Sequence, residues 1–168
     1  MQRGFDVPLT VLKKLGSNEQ RNLLILSHIL DECEDSKKKI IVFACSVNHA
    51  YLIANILMVK GIRAVAVTGE TQPELRRSTI SKYRDTDEVQ VIVNYGVLTT
   101  GFDAPRTSVA VIARPTNSVV LFSQMVGRAA RGIKAGGNKT CKVITIVDEI
   151  PGFRSVAETF EYWDDIWE

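Results

Sequence analysis

Apolar residues along this chain fall into two alternating patterns. Short, nearly continuous runs occur at 39–45 (KIIVFAC), 63–68 (RAVAVT), 89–94 (VQVIVN), 108–113 (SVAVIA) and 141–147 (CKVITIV). Runs this short and this rich in valine and isoleucine read as strands covered on both faces. Segments of helical spacing lie between them. VNHAYLIANILMVK (47–60) follows a capping Ser46 and ends at Gly61. PELRRSTISKYR (73–84) opens with a proline in its first turn. VVLFSQMVGRAAR (119–131) starts after Ser118 and closes at Gly132. Upstream, Ser17 and Gln20 have capping-box spacing ahead of RNLLILSHILDEC, a helix of about 15 residues. The tail SVAETFEYWDDIWE reads as a short acidic, aromatic helix.

Strands alternating with helices imply right-handed crossovers and a parallel sheet. The expected class is therefore α/β, with a mostly parallel sheet flanked by helices in three layers. The expected division is an N-terminal linker and helix at 1–37, the α/β unit at 38–150, and the tail helix at 151–168. No internal repeat or low-complexity segment interrupts this order.

Composition adds limits. A length of 168 residues suits one domain with a real core. A net charge of +2 is too small to argue for nucleic acid, so any such claim must rest on local sites. Cys33, Cys45 and Cys141 are odd in number and far apart, so neither a disulfide framework nor a zinc site is suggested. They read as reduced thiols of a cytoplasmic protein. No apolar run approaches the roughly 20 residues that span a bilayer. The N-terminus lacks a signal-peptide core and reads as a cut end.

Candidate chemistry concentrates in GRAARGIKAGGNKT (127–140). Its right half imitates a phosphate-binding loop. Gly132 and Gly137 are correctly spaced, but Asn138 intrudes before Lys139 and Thr140. The context is also reversed: a phosphate loop follows a strand and opens a helix, and this segment does the opposite. It reads as a flexible basic loop. A second imitation is ILDEC, which suggests a magnesium carboxylate at a strand end. The apolar residues at 23, 26, 29, 30 and 33 instead follow helical spacing. Asp31, Glu32, Glu34 and Asp35 then read as a solvated helix end. Neither a nucleotide loop nor a metal site is expected, so the chain should not hydrolyse a nucleotide alone.

The left half differs. Gln124, Arg128 and Arg131 fall within about 60° of one another at 100° per residue. The rest of that helix is apolar, which leaves a narrow stripe of one amide and two guanidiniums on a buried helix. Two readings fit: a pair of structural salt bridges, or an arginine-finger surface. Guanidinium is planar, always charged and bidentate toward phosphate. The other informative stretch is VNYGVLTTGFDAP (93–105), which leaves an apolar strand at the carboxyl edge of a parallel sheet, where ligands bind. Thr99, Thr100 and Gly101 offer hydroxyls and close backbone N–H groups, and Asp103 can accept from a hydroxyl such as a ribose.

At these residues the chain resembles the second RecA-like lobe of a superfamily 2 helicase or translocase, a P-loop-type fold without its own P-loop. QMVGRAAR resembles that family's motif VI, and LTTGFDAP its motif V. IIVFACSVNHAYLIANIL resembles motif IV and its helix. The resemblance covers about residues 38–148 and is greatest to the branch of RadD-like repair proteins, XPB-like helicases and restriction-enzyme motor subunits. It is less like the DEAD-box branch, which has HRxGRxGR.

That resemblance implies roles. Arg131 would be the arginine finger, Arg128 its partner, and Gln124 part of the network between lobes. Gly101 and Asp103 would touch nucleotide. Thr99 and Thr100, with Ser46, Thr68 and Gly69, would meet the nucleic-acid backbone. The implied partners are DNA, with RNA an alternative that the residues do not separate, and an N-terminal RecA-like lobe holding most of the ATP and magnesium contacts. No membrane partner is implied. A non-catalytic RecA-like binding module is the competing reading.

Overall fold

The computed structural model describes residues 6–97, 104–129 and 141–151, with residues 128 and 129 in backbone only. Two helices come first: α1 (Leu9–Gly16) and α2 (Glu19–Cys33). Strand β1 (Lys39–Phe43), helix α3 (Val47–Val59), β2 (Ala64–Thr68), α4 (Pro73–Asp85) and β3 (Val91–Tyr95) follow. The chain then crosses to β4 (Thr107–Ile112), α5 (Val119–Ala129) and β5 (Lys142–Thr145).

The five strands form one parallel sheet in the order β2-β3-β1-β4-β5. β1 sits in the middle. Its Ile41 is registered with Ile92 of β3 and Ala110 of β4. Side chains alternate between the faces, so each strand feeds two cores. Ile40, Val42, Val91, Val93, Val109 and Val111 pack under α2 and α3. Ile41, Phe43, Ile92, Ala110 and Ile112 pack under α4 and α5, against Tyr83, Phe122 and Met125. The crossover toward β2 uses one face and the crossovers toward β3 and β5 use the other, as right-handed connections require.

Local signals explain the boundaries. Ser46 caps α3 by accepting from His49 N–H at 3.1 Å. α3 stops at Gly61, whose φ of +83° suits a residue without a Cβ. The N–H groups of Gly61 and Ile62 return to the carbonyls of Met58 (2.9 Å) and Leu57 (3.0 Å), which satisfies the last turn. Ser118 caps α5 through Leu121 N–H at 3.1 Å.

Four expectations need correction. The cap of α2 is Asn18, whose side chain accepts from Arg21 N–H at 2.9 Å, while Ser17 ends α1 and donates to Lys14 O. The tight α1–α2 turn moves the start one residue on. The boundary expected at residue 38 does not match the packing, because Ile25, Leu26, Ile29 and Cys33 of α2 belong to the main core. The charged end of α2 is not wholly solvated. Glu32 is buried between Lys38 (2.8 Å) and Lys142, because α2 runs antiparallel to the strands and ends beside the start of β5. Finally, α5 is not buried all round: Phe122 and Met125 face the sheet, but Val119 and Val120 are 55% and 67% exposed. The expected tail helix and the loop 132–140 lie outside the described residues.

Cys33 and Cys45 are buried free thiols, and Cys141 is a half-buried one. Burial pushes the Cys33 and Cys45 thiols up to about 11, so both are inert at neutral pH.

Candidate functional site

Ligands of open parallel sheets bind at the carboxyl edge, in the crevice where the chain's direction of travel reverses. Here β1 feeds leftward to β2 and β4 feeds rightward to β5, so that crevice lies between the ends of β1 and β4. It is filled by the protein itself. The Arg21 guanidinium enters from α2 and pairs with Asp148, just beyond β5, through Nε to Oδ1 at 2.7 Å and Nη2 to Oδ2 at 2.8 Å. Nη2 also donates to Ala113 O, at the end of β4, at 2.6 Å. The Cys45 thiol donates to the same carbonyl at 3.1 Å.

Beside them, His49 Nδ1 accepts from Cys45 N–H at 3.0 Å, and His49 Nε2 lies 2.9 Å from Asn22 Oδ1. The first contact requires an unprotonated Nδ1, so the ring is neutral with its proton on Nε2, donated to Asn22. Burial and then the Arg21 charge push His49 down to about 4. Asn22 Nδ2 ties the group to Gly16 O at 2.8 Å. Val7 and Leu12 close the top against Cys45. A guanidinium thus stands where a phosphate would be held, already bonded to a carboxylate. Sequence reasoning missed this cluster. The available signal was Arg21 at helical spacing from Ile25 and Ile29, a charge on an apolar stripe.

The other half of the same edge is built differently. Strand order lines up the ends of β2, β3 and β1, which carry Thr68 and Gly69, the segment toward Thr99 and Thr100, and Ser46. Neighbouring strands lie about 4.8 Å apart, so the outer members stand roughly 10 Å apart. The fold therefore sets Ser46, Thr68 and Gly69, three of the residues expected to meet a nucleic-acid backbone, at one edge of the sheet. Their side chains are not equally available. Ser46 and Thr68 are buried, and their hydroxyls accept from His49 N–H and, at 3.2 Å, from Glu70 N–H. Arg76 Nη2 reaches Thr71 O at 3.2 Å and closes the turn after β2. Gly69 is exposed, with open space where a Cβ would stand.

α5 runs from this edge down the face it shares with α4. Gln124 is half-buried on its flank, and Arg128 follows four residues later in the same helix. Arg128 lies about 15 Å along the axis from Ser118 at 1.5 Å per residue. The stripe and the line of strand ends are thus separate surfaces joined through one helix. Arg131, Thr99, Thr100, Gly101 and Asp103 lie outside the described residues. Among the described residues no group of three acidic, histidine or cysteine side chains could hold a metal ion, and no helix is long and apolar enough to cross a membrane.

Solved structures share this architecture. Domain 2 of the DEAD-box helicase Mss116p, bound to an RNA duplex, matches with a TM-score of 0.64 at 22% identity, over 76% of this chain and 50% of that one. A fragment of a provisionally assigned HsdR subunit of a type I restriction enzyme from Vibrio vulnificus YJ016 matches with a TM-score of 0.67 at 24% identity, over 83% of this chain and 28% of that one. The fold is that of a RecA-like helicase lobe. Residues 21–132 match the helicase conserved C-terminal domain, and the chain belongs to that family. IRC3 of Saccharomyces cerevisiae, provisionally described as an ATP-dependent helicase, is 30% identical over 127 residues, which is 75% of this chain and 18% of that protein. The chain spans between 18% and 28% of the length of the curated relatives it matches.

Proposed function

We propose that this chain is the second motor lobe of an ATP-dependent helicase or translocase. It presents Arg131 and Arg128 to an ATP that a first RecA-like lobe holds with magnesium, and it tracks a nucleic-acid backbone along the ends of β2, β3 and β1. The observation that carries this reading is the contrast between the filled crevice and the α5 stripe. The crevice is closed by Arg21, Asp148 and His49, so ATP is not held in the position usual for the fold. Gln124 lies half-buried on the flank of a helix that also carries Arg128 in its sequence. The magnesium is assigned to the other lobe, as the family resemblance implies.

The chemistry assigned to this chain is electrostatic. A guanidinium fork aimed at a transferring γ-phosphoryl stabilises the charge that develops on its oxygens. Gln124 orients the fork, and Gly101 and Asp103 sense the nucleotide. At the strand ends, backbone N–H groups and small polar side chains, Gly69 and Thr100 foremost, hold phosphates without reading bases. The greater resemblance of motifs V and VI to the RadD-like and restriction-motor branch favours DNA over RNA.

In a protein that contains both lobes, Arg131→Ala lowers kcat by roughly a thousandfold or more, the scale of a lost arginine finger. Binding to DNA stays near normal. Arg131→Lys restores little, because an ammonium cannot reproduce the fork. Lys139→Ala stays within about a few fold of the parent, since the imitation phosphate loop is assigned no phosphate. The check is kcat at saturating ATP and DNA. A crippling Lys139→Ala beside a mild Arg131→Ala would reverse the assignment. Mild effects from both arginines would support the competing reading, a RecA-like module that only binds. The chain alone should show no DNA-stimulated ATP turnover.

A further inference from the structure

One carboxylate outside both surfaces touches the approach to α5 directly and reaches the end of β3 through Arg114. Asp6 lies in the extended stretch before α1, more than a hundred residues from its partners. Its Oδ1 accepts from Thr116 Oγ at 2.8 Å and from Asn117 N–H at 2.9 Å. Thr116 Oγ in turn accepts from Ser118 N–H at 3.0 Å, and Ser118 Oγ accepts from Leu121 N–H at 3.1 Å. A continuous relay therefore runs from Asp6 to the first turn of α5. The second oxygen, Oδ2, pairs with Arg114 Nη2 at 3.1 Å. The Arg114 guanidinium lies 5.5 Å from the centroid of the Tyr95 ring, at the end of β3. Beyond Tyr95 the chain leads to Gly101 and Asp103.

Nothing in this arrangement is needed to complete the core. Val7, the next residue, already anchors the stretch by packing with Leu12 and Cys45. The carboxylate is only partly buried, with 28% of its side chain exposed. Burial alone would raise its pKa, but donation from Asn117 N–H and Thr116 Oγ–H outweighs it and holds the group below the ordinary aspartate value. A charge kept in place by donors on the approach to a helix orients that approach, as an N-cap orients a first turn.

We infer that Asp6 is a positioning residue: its two oxygens hold the start of α5 and, through Arg114, the end of β3 in fixed relation, so that the two elements leading into the proposed nucleotide surface keep their alignment. This deepens the proposed function and rests on it. The N-terminal stretch then belongs to the motor and is not a passive linker.

The test pairs Asp6→Ala with Asp6→Asn. Asparagine keeps an oxygen for Thr116 and Asn117 and loses only the pair with Arg114. In the 168-residue chain, amide exchange across 117–125 should quicken roughly tenfold in Asp6→Ala, about the effect of a lost helix cap, and change little in Asp6→Asn. Exchange within α2 and α3 serves as the internal control and should not move. In the two-lobe protein, Asp6→Ala should lower kcat by about tenfold while KM for ATP stays within about twofold, as for an interaction that matters in the transition state. Asp6→Asn should fall between. Thr116→Val cuts the relay from its other end and replaces Asp6→Ala if that variant does not fold.

Unchanged exchange across 117–125 in a folded Asp6→Ala or Thr116→Val would overturn the inference. So would faster exchange with an unaltered kcat where Arg131→Ala is crippling. If Arg131→Ala itself leaves kcat intact, it is the motor assignment that fails, and the exchange result still reports on the relay.

Discussion

The two halves of the sheet's carboxyl edge are made from the same kind of strand end and have opposite characters. Between β1 and β4 the crevice is packed with a guanidinium, a carboxylate, an imidazole and an amide that satisfy one another. At the end of β2 the edge is open: Gly69 faces open space beside the buried Thr68. The fold's usual ligand site is thereby used as structure, and the ligands proposed here meet surfaces beside it. A charged group in a fold's customary crevice is therefore not evidence of a ligand there. What matters is whether its valences are already filled. Arg21 makes four hydrogen bonds to the protein, so no phosphate is required to explain it.

Breaking the filled half should have the largest effect on stability. Asp148→Ala leaves the Arg21 charge buried without its partner, and such losses cost about 3–5 kcal/mol. A shift of the urea midpoint equivalent to under about 1 kcal/mol, the range of exposed ion pairs, would show that the crevice is wetter than this packing implies.

Acid acts on the same half. His49 is held neutral down to about pH 4, whereas in the unfolded chain it takes a proton near 6.5. The unfolded state therefore binds more protons between those values, and stability falls as pH drops from about 6.5 toward 4. This group contributes on the order of 3 kcal/mol to that fall. Urea titrations at intervals of pH should show the slope, and His49→Gln should flatten it. An unchanged slope in that variant would place the proton elsewhere.

Two glycines sharpen the comparison with smaller effects. A Cβ at Gly16 would stand 2.9 Å from His49 Cβ in the filled half, so Gly16→Ala should destabilise by about 1–3 kcal/mol through overpacking. A Cβ at Gly69 meets nothing within 4 Å, so Gly69→Ala should change stability by less than about 0.5 kcal/mol. The same change should weaken binding to DNA, because it keeps a phosphate from the backbone. Wild-type binding should fall steeply with salt and show little sequence preference. Equal stabilities of the two variants would remove the distinction between the halves.

Much of the fold was legible before any coordinates. All five strands and the helices α2 to α5 appear where apolar runs and helical spacing put them, because burial on one or two faces leaves a direct trace in sequence. α1 left a weaker trace: eight residues give little more than two turns, and only Leu12 and Gly16 of them are buried. The family was legible where chemistry sits in one contiguous motif, as in QMVGRAAR. The candidate site was illegible where partners are far apart. Arg21 could be noticed as a charge on an apolar stripe, but Asp148 is 127 residues away and nothing local marks it.

The alternation of apolar strands and amphipathic helices by itself determined the α/β class and the parallel sheet, since both depend on local pattern. Tertiary structure alone decided which hydroxyls face inward at Ser46 and Thr68, that Glu32 is paired and buried, that the crevice is closed by Arg21 and Asp148, and that Asp6 reaches α5. Those outcomes turn on which distant groups strand order brings within hydrogen-bond range. Once a polar group is buried, the partner it finds across the fold decides whether it is structure or site.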